Sequence, residues 1–383
     1  YPLVLRPAYT MGGTGGGIVY NHDELVNIVS RGIQASMIGQ VLVEEAVIGW
    51  EELEVEVIRD ANNKMLTVCF IENIDPMGVH TGDSFCAAPM LTISQELQDR
   101  LQDYAYRIVE AIGVIGGTNV QFAHDPETDR VIIIEINPRT SRSSALASKA
   151  TGFPIAMVSA MLATGLTLDE IPYYKGGSLA DYKPHCDYVV IKFARWAFDK
   201  FSGVTDILGT QMKAVGEVMA IGKTYKEAFQ KAIRSLENSR PGLGFAKDYA
   251  SKDLTQLLSL LATPTSERQY VLYEALRKGA DIDILCRLTK IKRWYIEQMA
   301  ELVELENELL AADTISDELL GRLKHDGFSD KYIAKLKHID EADVRRQRIA
   351  AGLTAAWESV PVSGVEGDAR YYYSTHHKSE TSK

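Results

Sequence analysis

The spacing of hydrophobic and polar residues changes part-way along the chain. In the first part, apolar and polar residues alternate with a period of two, as in residues 54–58, and short runs of this kind are interspersed with helical runs such as the one opening at Ser94. Alternation is typical of strands, and a capping serine before apolar residues is typical of helix starts. We therefore predict an incomplete α+β domain over residues 1–237.

A loop rich in glycine and proline, residues 238–244, ends this part. Beyond it, apolar residues recur every three to four positions, most regularly in residues 291–311, which predicts amphipathic helices with one buried face. We predict an all-α helical domain over residues 238–383 that folds without the first part, and a disordered tail after Tyr373. Its other helices are predicted at residues 254–261, 267–278, 315–323, 330–336 and 341–351.

Amide and carboxylate side chains mark the two strands on either side of a turn-forming sequence at residues 125–130. A hairpin centred on this turn would set Gln121 opposite Glu135. Because side chains alternate across a strand, Glu135, Asn137 and Arg139 would share one face. Oxygen ligands of this kind suit Mg²⁺ held together with phosphate oxygens, and a solvated hairpin face is the alternative interpretation.

Composition narrows the class of protein further. The 383 residues are 46% hydrophobic and 24% charged with a net charge of -11, which is typical of a soluble globular protein of two to three domains. An acidic chain without a dense Lys/Arg run argues against nucleic-acid and membrane partners. Four scattered cysteines indicate neither zinc nor disulfides and favour the reducing cytoplasm. The chain starts without Met, so we expect it to be a piece of a longer protein.

A glycine loop is the second chemical signal. Arg6 precedes it, and five of residues 12–17 are glycine. The spacing matches neither a P-loop nor a dinucleotide fingerprint. Such a loop can still offer backbone N–H groups to phosphates, with Arg6 adding charge, and a simple mobile hairpin is the alternative.

Other segments would fit a nucleotide. Residues 42–47 predict a strand with exposed backbone for an adenine edge, and Glu52 follows at a distance suited to ribose hydroxyls. The polar loop 75–84 carries His80, although a lone histidine is more often a structural hydrogen-bonding group. A helix beginning near Arg142 would turn its N-terminus towards the same anion.

These residues together resemble a known family. The matching stretches are Arg6-Pro7, Gly12 to Gly17, Glu45 to Val47, Glu52, His80 to Ser84, Gln121 and Glu135 to Gly152. They resemble the ATP-grasp domain of the carbamoyl phosphate synthetase large subunit, specifically its carboxyphosphate-forming half. Residues from about 238 onward, including Tyr371 to Thr375, resemble the helical oligomerisation domain that follows it.

The resemblance implies a role for each matching residue. Arg6, Gly12, Gly13 and Arg139 would handle phosphates, Glu45 and Val47 would bind adenine, Glu52 would hold the ribose, and Gly78, Val79 and His80 would border the γ-phosphate and bicarbonate. Gln121, Glu135 and Asn137 would ligate two Mg²⁺ or Mn²⁺ ions, through which Gln121 and Glu135 also bind the nucleotide. His80, Glu135 and Arg139 would take part in catalysis.

The resemblance also implies a reaction and partners. Bicarbonate would attack the γ-phosphate of ATP to give carboxyphosphate, and ammonia would displace phosphate to give carbamate, en route to carbamoyl phosphate for arginine and pyrimidine synthesis. A small glutaminase subunit or domain and self-association through the helical domain would be expected. The family's upstream Rossmann-like domain and second synthetase half are missing, so we expect this piece alone to be inactive. Another ATP-grasp carboxylase or ligase, or a non-catalytic oligomerisation fragment, are the alternatives.

Overall fold

A computed structural model describes residues 1–200, 203–245, 249–365, 368–380 and 382. Its strands are β1 (Leu3–Pro7), β2 (Gly17–Val19), β3 (Val41–Glu45), β4 (Glu51–Arg59), β5 (Met65–Asn73), β6 (Cys86–Ala88), β7 (Gly116–Asp125), β8 (Arg130–Asn137), β9 (Val189–Arg195), β10 (Gly216–Gly222), β11 (Ala356–Pro361) and β12 (Arg370–Thr375). Its α-helices are α1 (His22–Ala35), α2 (Gln95–Ile112), α3 (Arg142–Thr151), α4 (Ile155–Ala163), α5 (Tyr225–Ser235), α6 (Leu254–Leu261), α7 (Arg268–Arg277), α8 (Ile282–Thr289), α9 (Arg293–Ala311), α10 (Asp317–His325), α11 (Asp330–Lys337) and α12 (Glu341–Ala350).

A small lobe opens the chain. It is a three-stranded antiparallel sheet in the order β2-β1-β3, and α1 packs on it. The glycine loop joins β1 to β2. Because β1 and β2 are paired, the two ends of the loop are held in fixed positions. The middle of the loop extends towards the large lobe.

A seven-stranded antiparallel sheet in the order β10-β9-β6-β5-β4-β7-β8 forms the large lobe. Strand β4 shows why it forms: Leu53, Val55 and Val57 are buried with the apolar face of α2, while the intervening glutamates lie on the other face. Helix α2 begins where the Ser94 side chain accepts a hydrogen bond from the Leu97 N–H, and it ends at the left-handed Gly113. The polar face left by β4 contains the candidate site.

The second half is helical from α6 to α12, as predicted. The helix predicted at 254–261 has these bounds in the structure, and the others agree within two residues at each end. Helix α8 was not predicted, because its apolar stripe is short. The hairpin of β11 and β12 was also missed, and β12 continues through Ser374 and Thr375, where a disordered tail was expected.

One hydrophobic core extends through both halves. The rings of Phe85 and Phe193 stack at 4.8 Å in the sheet part of this core, and Tyr225 of α5 contacts Trp294 and Tyr295 of α9. The terminal hairpin packs back on β10, and Thr375 donates a hydrogen bond to Glu227 of α5. The boundary between residues 237 and 238 therefore stays a prediction, since packing does not divide the chain there.

None of the described helices is, by itself, both long enough and apolar enough to span a membrane. Helices α3 and α4 reach this length and hydropathy only when joined, and they are bent by 107° at their junction.

Candidate nucleotide and metal site

The predicted hairpin is present, with the predicted register. Gln121 lies opposite Glu135, and Asn119 lies opposite Asn137. A bulge follows directly, because Phe122 pairs with Ile133 and one residue of β8 is left over. The Asn137 amide donates to Glu135 Oε1 at 3.1 Å, and the Gln121 amide donates to Asn119 Oδ1 at 3.1 Å. The three predicted metal ligands therefore share one polar network at the edge of the sheet.

The donor set of this network fits a hard divalent cation. Gln121, Glu135 and Asn137 offer one carboxylate and two amide oxygens, and Mg²⁺ prefers few protein oxygens together with phosphate oxygens. The Glu135 side chain is 46% exposed and lies 3.8 Å from the guanidinium of Arg6. The described residues contain no cluster of three His, Cys, Asp or Glu suited to a metal.

A row of buried carboxylates lies beside the hairpin. Glu54 of β4 accepts hydrogen bonds from Asn73 at 2.9 Å, from Thr81 at 3.0 Å and from Asn119 at 2.9 Å. The second N–H of the Asn119 amide donates to Glu56 at 2.9 Å. The Asn119 side chain thus links the carboxylates of β4 to the hairpin ligands, and its amide has to point its nitrogen towards them.

Burial changes the ionisation of these carboxylates. Burial and the nearby Glu54 carboxylate raise the pKa of Glu56 to about 7. The pKa of Glu52 is also raised, by its burial first and by Glu54 second. Glu52 is only 3% exposed, and its Oε2 has no hydrogen-bond partner among the described residues. The structure therefore places the predicted ribose ligand inside the sheet face, where this oxygen is unpartnered and shielded from solvent.

Lys192 of β9 is the buried cation of this face. Its Nζ donates to the Thr81 carbonyl at 3.0 Å. Burial by itself lowers its pKa, but acidic neighbours, including Cys86, Glu54 and Glu52, more than offset this, so the pKa is raised. A charged ammonium is thereby held under the loop that carries His80.

The small lobe closes on the hairpin through Arg6. Its guanidinium pairs with Glu44, donates to the Ile134 carbonyl at 3.2 Å, and lies 3.8 Å from Glu135 Oε2. Arg6 thus connects the base of the glycine loop with the predicted metal carboxylate. This is the position expected of an arginine that binds phosphates next to a metal.

The glycine loop rests on residues 209–212 of the large lobe. The Gly12 carbonyl accepts a hydrogen bond from the Met212 N–H at 3.1 Å. Gly13 has φ +76°, and a Cβ there would lie 2.4 Å from the Thr210 carbonyl oxygen. Only glycine satisfies both the left-handed backbone and this close approach.

The loop at residues 75–85 carries Gly78, Val79 and His80. The His80 N–H donates to the Gly209 carbonyl at 2.7 Å, and its Nδ1 accepts from the Gly82 N–H at 2.9 Å. Burial lowers the pKa of His80 more than Asp83 and Glu135 raise it, so the ring is neutral at pH 7. With Nδ1 accepting, the proton lies on Nε2, which makes the ring a hydrogen-bond donor.

Three predicted residues lie at the edge of this arrangement. Glu45 is exposed and pairs with Arg130 at 2.9 Å, which lowers the pKa of Glu45. Val47 is buried just after β3. Arg139 is exposed and donates to Asn137 Oδ1 at 3.3 Å. The structure therefore brings Arg139 to Asn137, one of the predicted metal ligands, and places Glu45 against the turn of the hairpin.

Residues of the site that were missed from the sequence include Glu54, Asp83, Asn119 and Lys192. A signal existed for two of them, because Glu54 lies on the same strand face as Glu52, and Asn119 on the same face as Gln121. No sequence pattern indicated Lys192, which is a single lysine in an apolar strand. Asp83 is fully buried and accepts from the Trp196 indole and from the Lys213 and Ala214 N–H groups.

A small lobe whose glycine loop rests on a large lobe, and buried carboxylates and amide oxygens on one face of the large sheet, are the features of an ATP-binding α+β domain. Residues 1–171 match the family model for the ATP binding domain of the carbamoyl-phosphate synthase L chain. Residues 217–352 match the model for the large-chain oligomerisation domain. The chain belongs to the family of carbamoyl phosphate synthase large chains, and the predicted fold class is confirmed.

Individual relatives agree. The large chain of Archaeoglobus fulgidus is 48% identical over 98% of this chain and 36% of its own length. The N-terminal section of the large chain of Methanopyrus kandleri is 45% identical over 98% of this chain and 70% of its own length. The chain thus spans about a third of the length of the full large chains it matches. Among solved structures, Campylobacter jejuni biotin carboxylase gives a TM-score of 0.48 at 15% identity, over 75% of this chain and 65% of that chain.

Proposed function

We propose that this chain is the part of a carbamoyl phosphate synthase large chain that uses ATP to phosphorylate bicarbonate. A bicarbonate oxygen attacks the γ-phosphorus, the bond to the β–γ bridging oxygen breaks, and ADP and carboxyphosphate form. Ammonia then attacks the carboxyl carbon, the bond to the phosphate oxygen breaks, and carbamate and phosphate result. The observation that carries this proposal is the approach of Arg6, at the base of the glycine loop, to Glu135, which lies in one polar network with Gln121 and Asn137.

The residues of the chain would promote phosphoryl transfer by neutralising charge and by positioning the phosphate groups. Two Mg²⁺ or Mn²⁺ ions held by Gln121, Glu135 and Asn137 would neutralise phosphate charge when bound. Arg6 and Arg139 would pair with phosphate oxygens, and the neutral His80 would donate from Nε2. Phosphoryl transfer depends mainly on positioning and charge neutralisation, which suits this set better than a covalent nucleophile.

The remaining site roles complete the proposal. Gly12 and Gly13 would present backbone N–H groups to phosphates, and Gly78 and Val79 would border the γ-phosphate. Glu45 and Val47 would bind adenine through the exposed backbone of their segment, and Glu52 would hold the ribose.

Partners and setting follow from the same family. Ammonia would come from a glutaminase subunit or domain, the helical part would mediate self-association, and the protein would act in the cytoplasm in arginine and pyrimidine synthesis. By itself, this chain would bind MgATP weakly and turn over negligibly, since residues outside it would complete the site. Another ATP-grasp ligase is not favoured, because the two family models match in this order along one chain.

The test is a full-length chimera in which this chain replaces the matching third of the Archaeoglobus fulgidus large chain. We expect bicarbonate to stimulate ADP release from the chimera, and Glu135→Gln to reduce the stimulated rate at least ~100-fold, as expected when a group that stabilises transferred charge is lost. ADP release that does not respond to bicarbonate would contradict the proposed acceptor.

A further inference from the structure

The loop that carries His80 is joined to the helical half by one buried ion pair. Arg268, the first residue of α7, donates from Nε to Asp75 Oδ1 at 2.6 Å and from its terminal nitrogen to Asp75 Oδ2. The two side chains are 7% and 2% exposed. This two-bond geometry fixes the direction as well as the distance between the partners.

Asp75 holds both ends of the loop. Its Oδ2 also accepts from the Phe85 N–H at 3.1 Å, and the Ile74 N–H donates to the Phe85 carbonyl at 2.9 Å. The carboxylate therefore closes the loop at residues 75–85 at its base. Without the guanidinium, a buried carboxylate would be left uncompensated at this closure.

Arg268 also approaches the far end of the loop. Its guanidinium lies 5.7 Å from the ring centroid of Trp196, whose indole N–H donates to Asp83 Oδ1 at 3.1 Å. Asp83 in turn holds the segment that ends at Ala214. A single side chain of the helical half thus supports the start of the loop directly and its end through Trp196.

The start of α7 also contacts the backbone segment to which His80 is hydrogen-bonded. Arg268 donates to the Thr265 carbonyl at 2.8 Å, and the neighbouring Pro264 carbonyl accepts from the Leu208 N–H at 2.9 Å. Gly209 follows Leu208, and its carbonyl accepts the His80 N–H at 2.7 Å. A continuous series of hydrogen bonds therefore links the segment before α7 to the His80 loop.

We propose that Arg268 is a positioning residue: through Asp75, the helical half sets the position of the His80 loop and thereby the affinity of the site for nucleotide. The part that concerns affinity rests on the proposed function. The part that concerns the position of the loop rests on these contacts alone. The two parts are tested separately below.

The first measurement is amide hydrogen exchange of the loop in the 383-residue chain without nucleotide. We compare Arg268→Gln with Arg240→Gln, which removes a partly buried pair with Glu267 within the helical half, where Arg240 also lies 3.9 Å from the Tyr270 ring. We expect exchange at residues 76–84 to be at least ~10-fold faster in Arg268→Gln only, since local opening follows the loss of a local support. Equal exchange in the two variants overturns the proposal.

The second measurement is MgATP affinity by calorimetry. We expect Arg268→Gln to weaken it about 10-fold, with Arg240→Gln unchanged, because a loop that samples other positions binds less well. If the chimera shows no bicarbonate-stimulated ADP release while the exchange difference persists, the proposed function fails and the support by Arg268 stands. Faster amide exchange in the loop of Arg268→Gln without a change in MgATP affinity would show that the position of the loop does not affect nucleotide binding.

Two further variants keep the test decisive if Arg268→Gln does not fold. Arg268→Lys keeps the charge and loses the two-bond fork, so an intermediate exchange rate is expected. Combining Asp75→Asn with Arg268→Gln removes both charges together, and it should restore protection relative to Asp75→Asn alone. If the increases in exchange rate caused by the two single substitutions instead add up in the double variant, the Asp75–Arg268 pair is not what protects the loop.

Discussion

Gln121 and Glu135 face each other across β7 and β8, yet their surroundings differ. Gln121 is 6% exposed and bonded to Asn119, whereas the Glu135 side chain is 46% exposed and lies 3.8 Å from Arg6. The buried Gln121 is therefore held in place, whereas the Glu135 carboxylate is accessible. A cation bound between them would have Gln121 as a fixed ligand and Glu135 as a charged ligand that can adjust its position.

Glu135→Gln should weaken binding of MgATP at least ~10-fold with little change in stability. The variant removes the only charge in the predicted metal set, and substitutions at exposed positions change stability by about 0.5 kcal/mol or less. Calorimetry with and without Mg²⁺ measures the effect. Glu127→Gln, at the exposed turn of the same hairpin, is the matched control and should bind as the unmodified chain does. Equal affinities of the two variants would remove Glu135 from the metal site.

The pKa of Glu56 predicts a pH-dependent stability. A folded-state pKa of about 7, raised by burial and by Glu54, means that the folded chain holds a proton that the unfolded chain releases near its ordinary value. The contribution is fully present below about pH 4.5 and is lost as the pH rises through about 7, a difference of about 3 kcal/mol.

Urea unfolding at about pH 5 and about pH 8 checks this sign. In Glu56→Gln, the decrease in unfolding free energy between the two pH values should be smaller by about 3 kcal/mol. Glu304→Gln, on an exposed face of α9, should leave the decrease as it is. A larger decrease in the Glu56 variant would show that the carboxyl is ionised in the folded chain.

Gly13→Ala should reduce nucleotide binding more than Gly39→Ala. Both glycines have positive φ, +76° and +65°, so alanine costs about 1 kcal/mol at each. Only at Gly13 would the new Cβ meet backbone, 2.4 Å from the Thr210 oxygen, whereas nothing lies within 4 Å of the position at Gly39. Chemical denaturation and MgATP calorimetry separate the two effects. Similar binding by both variants would mean that docking of the glycine loop does not matter.

The shared core changes the expectation for the helical half. A polypeptide of residues 240–383 would expose the faces of Trp294 and Tyr295 that pack against Tyr225 of α5. It would also leave the β11–β12 hairpin without β10. We expect a weak or non-cooperative thermal melt by circular dichroism, and a cooperative melt when the polypeptide begins at residue 216, before β10. Equal cooperativity of both polypeptides would show that the helical half folds by itself.

Local patterns were enough to predict the hairpin and most helices. The register that opposes Gln121 to Glu135 follows from turn chemistry at residues 125–130 and a side-chain period of two. The helices from α9 to α12 follow from apolar spacing. Helix α8 and the β11–β12 hairpin were missed because each is short and depends on the partners it packs against.

The sequence by itself determined the glycine loop, the hairpin that sets Gln121 opposite Glu135 and the helical second half, because each is encoded in residues that are neighbours along the chain. Only the tertiary structure decided that Glu54 meets Asn119, that Lys192 lies beneath the His80 loop, and that Arg268 pairs with Asp75 across 193 residues. The placement of β4 between β5 and β7 and the packing of α7 against the loop bring these groups together. Their energies depend on burial, and burial is set by the whole fold rather than by any local run of residues.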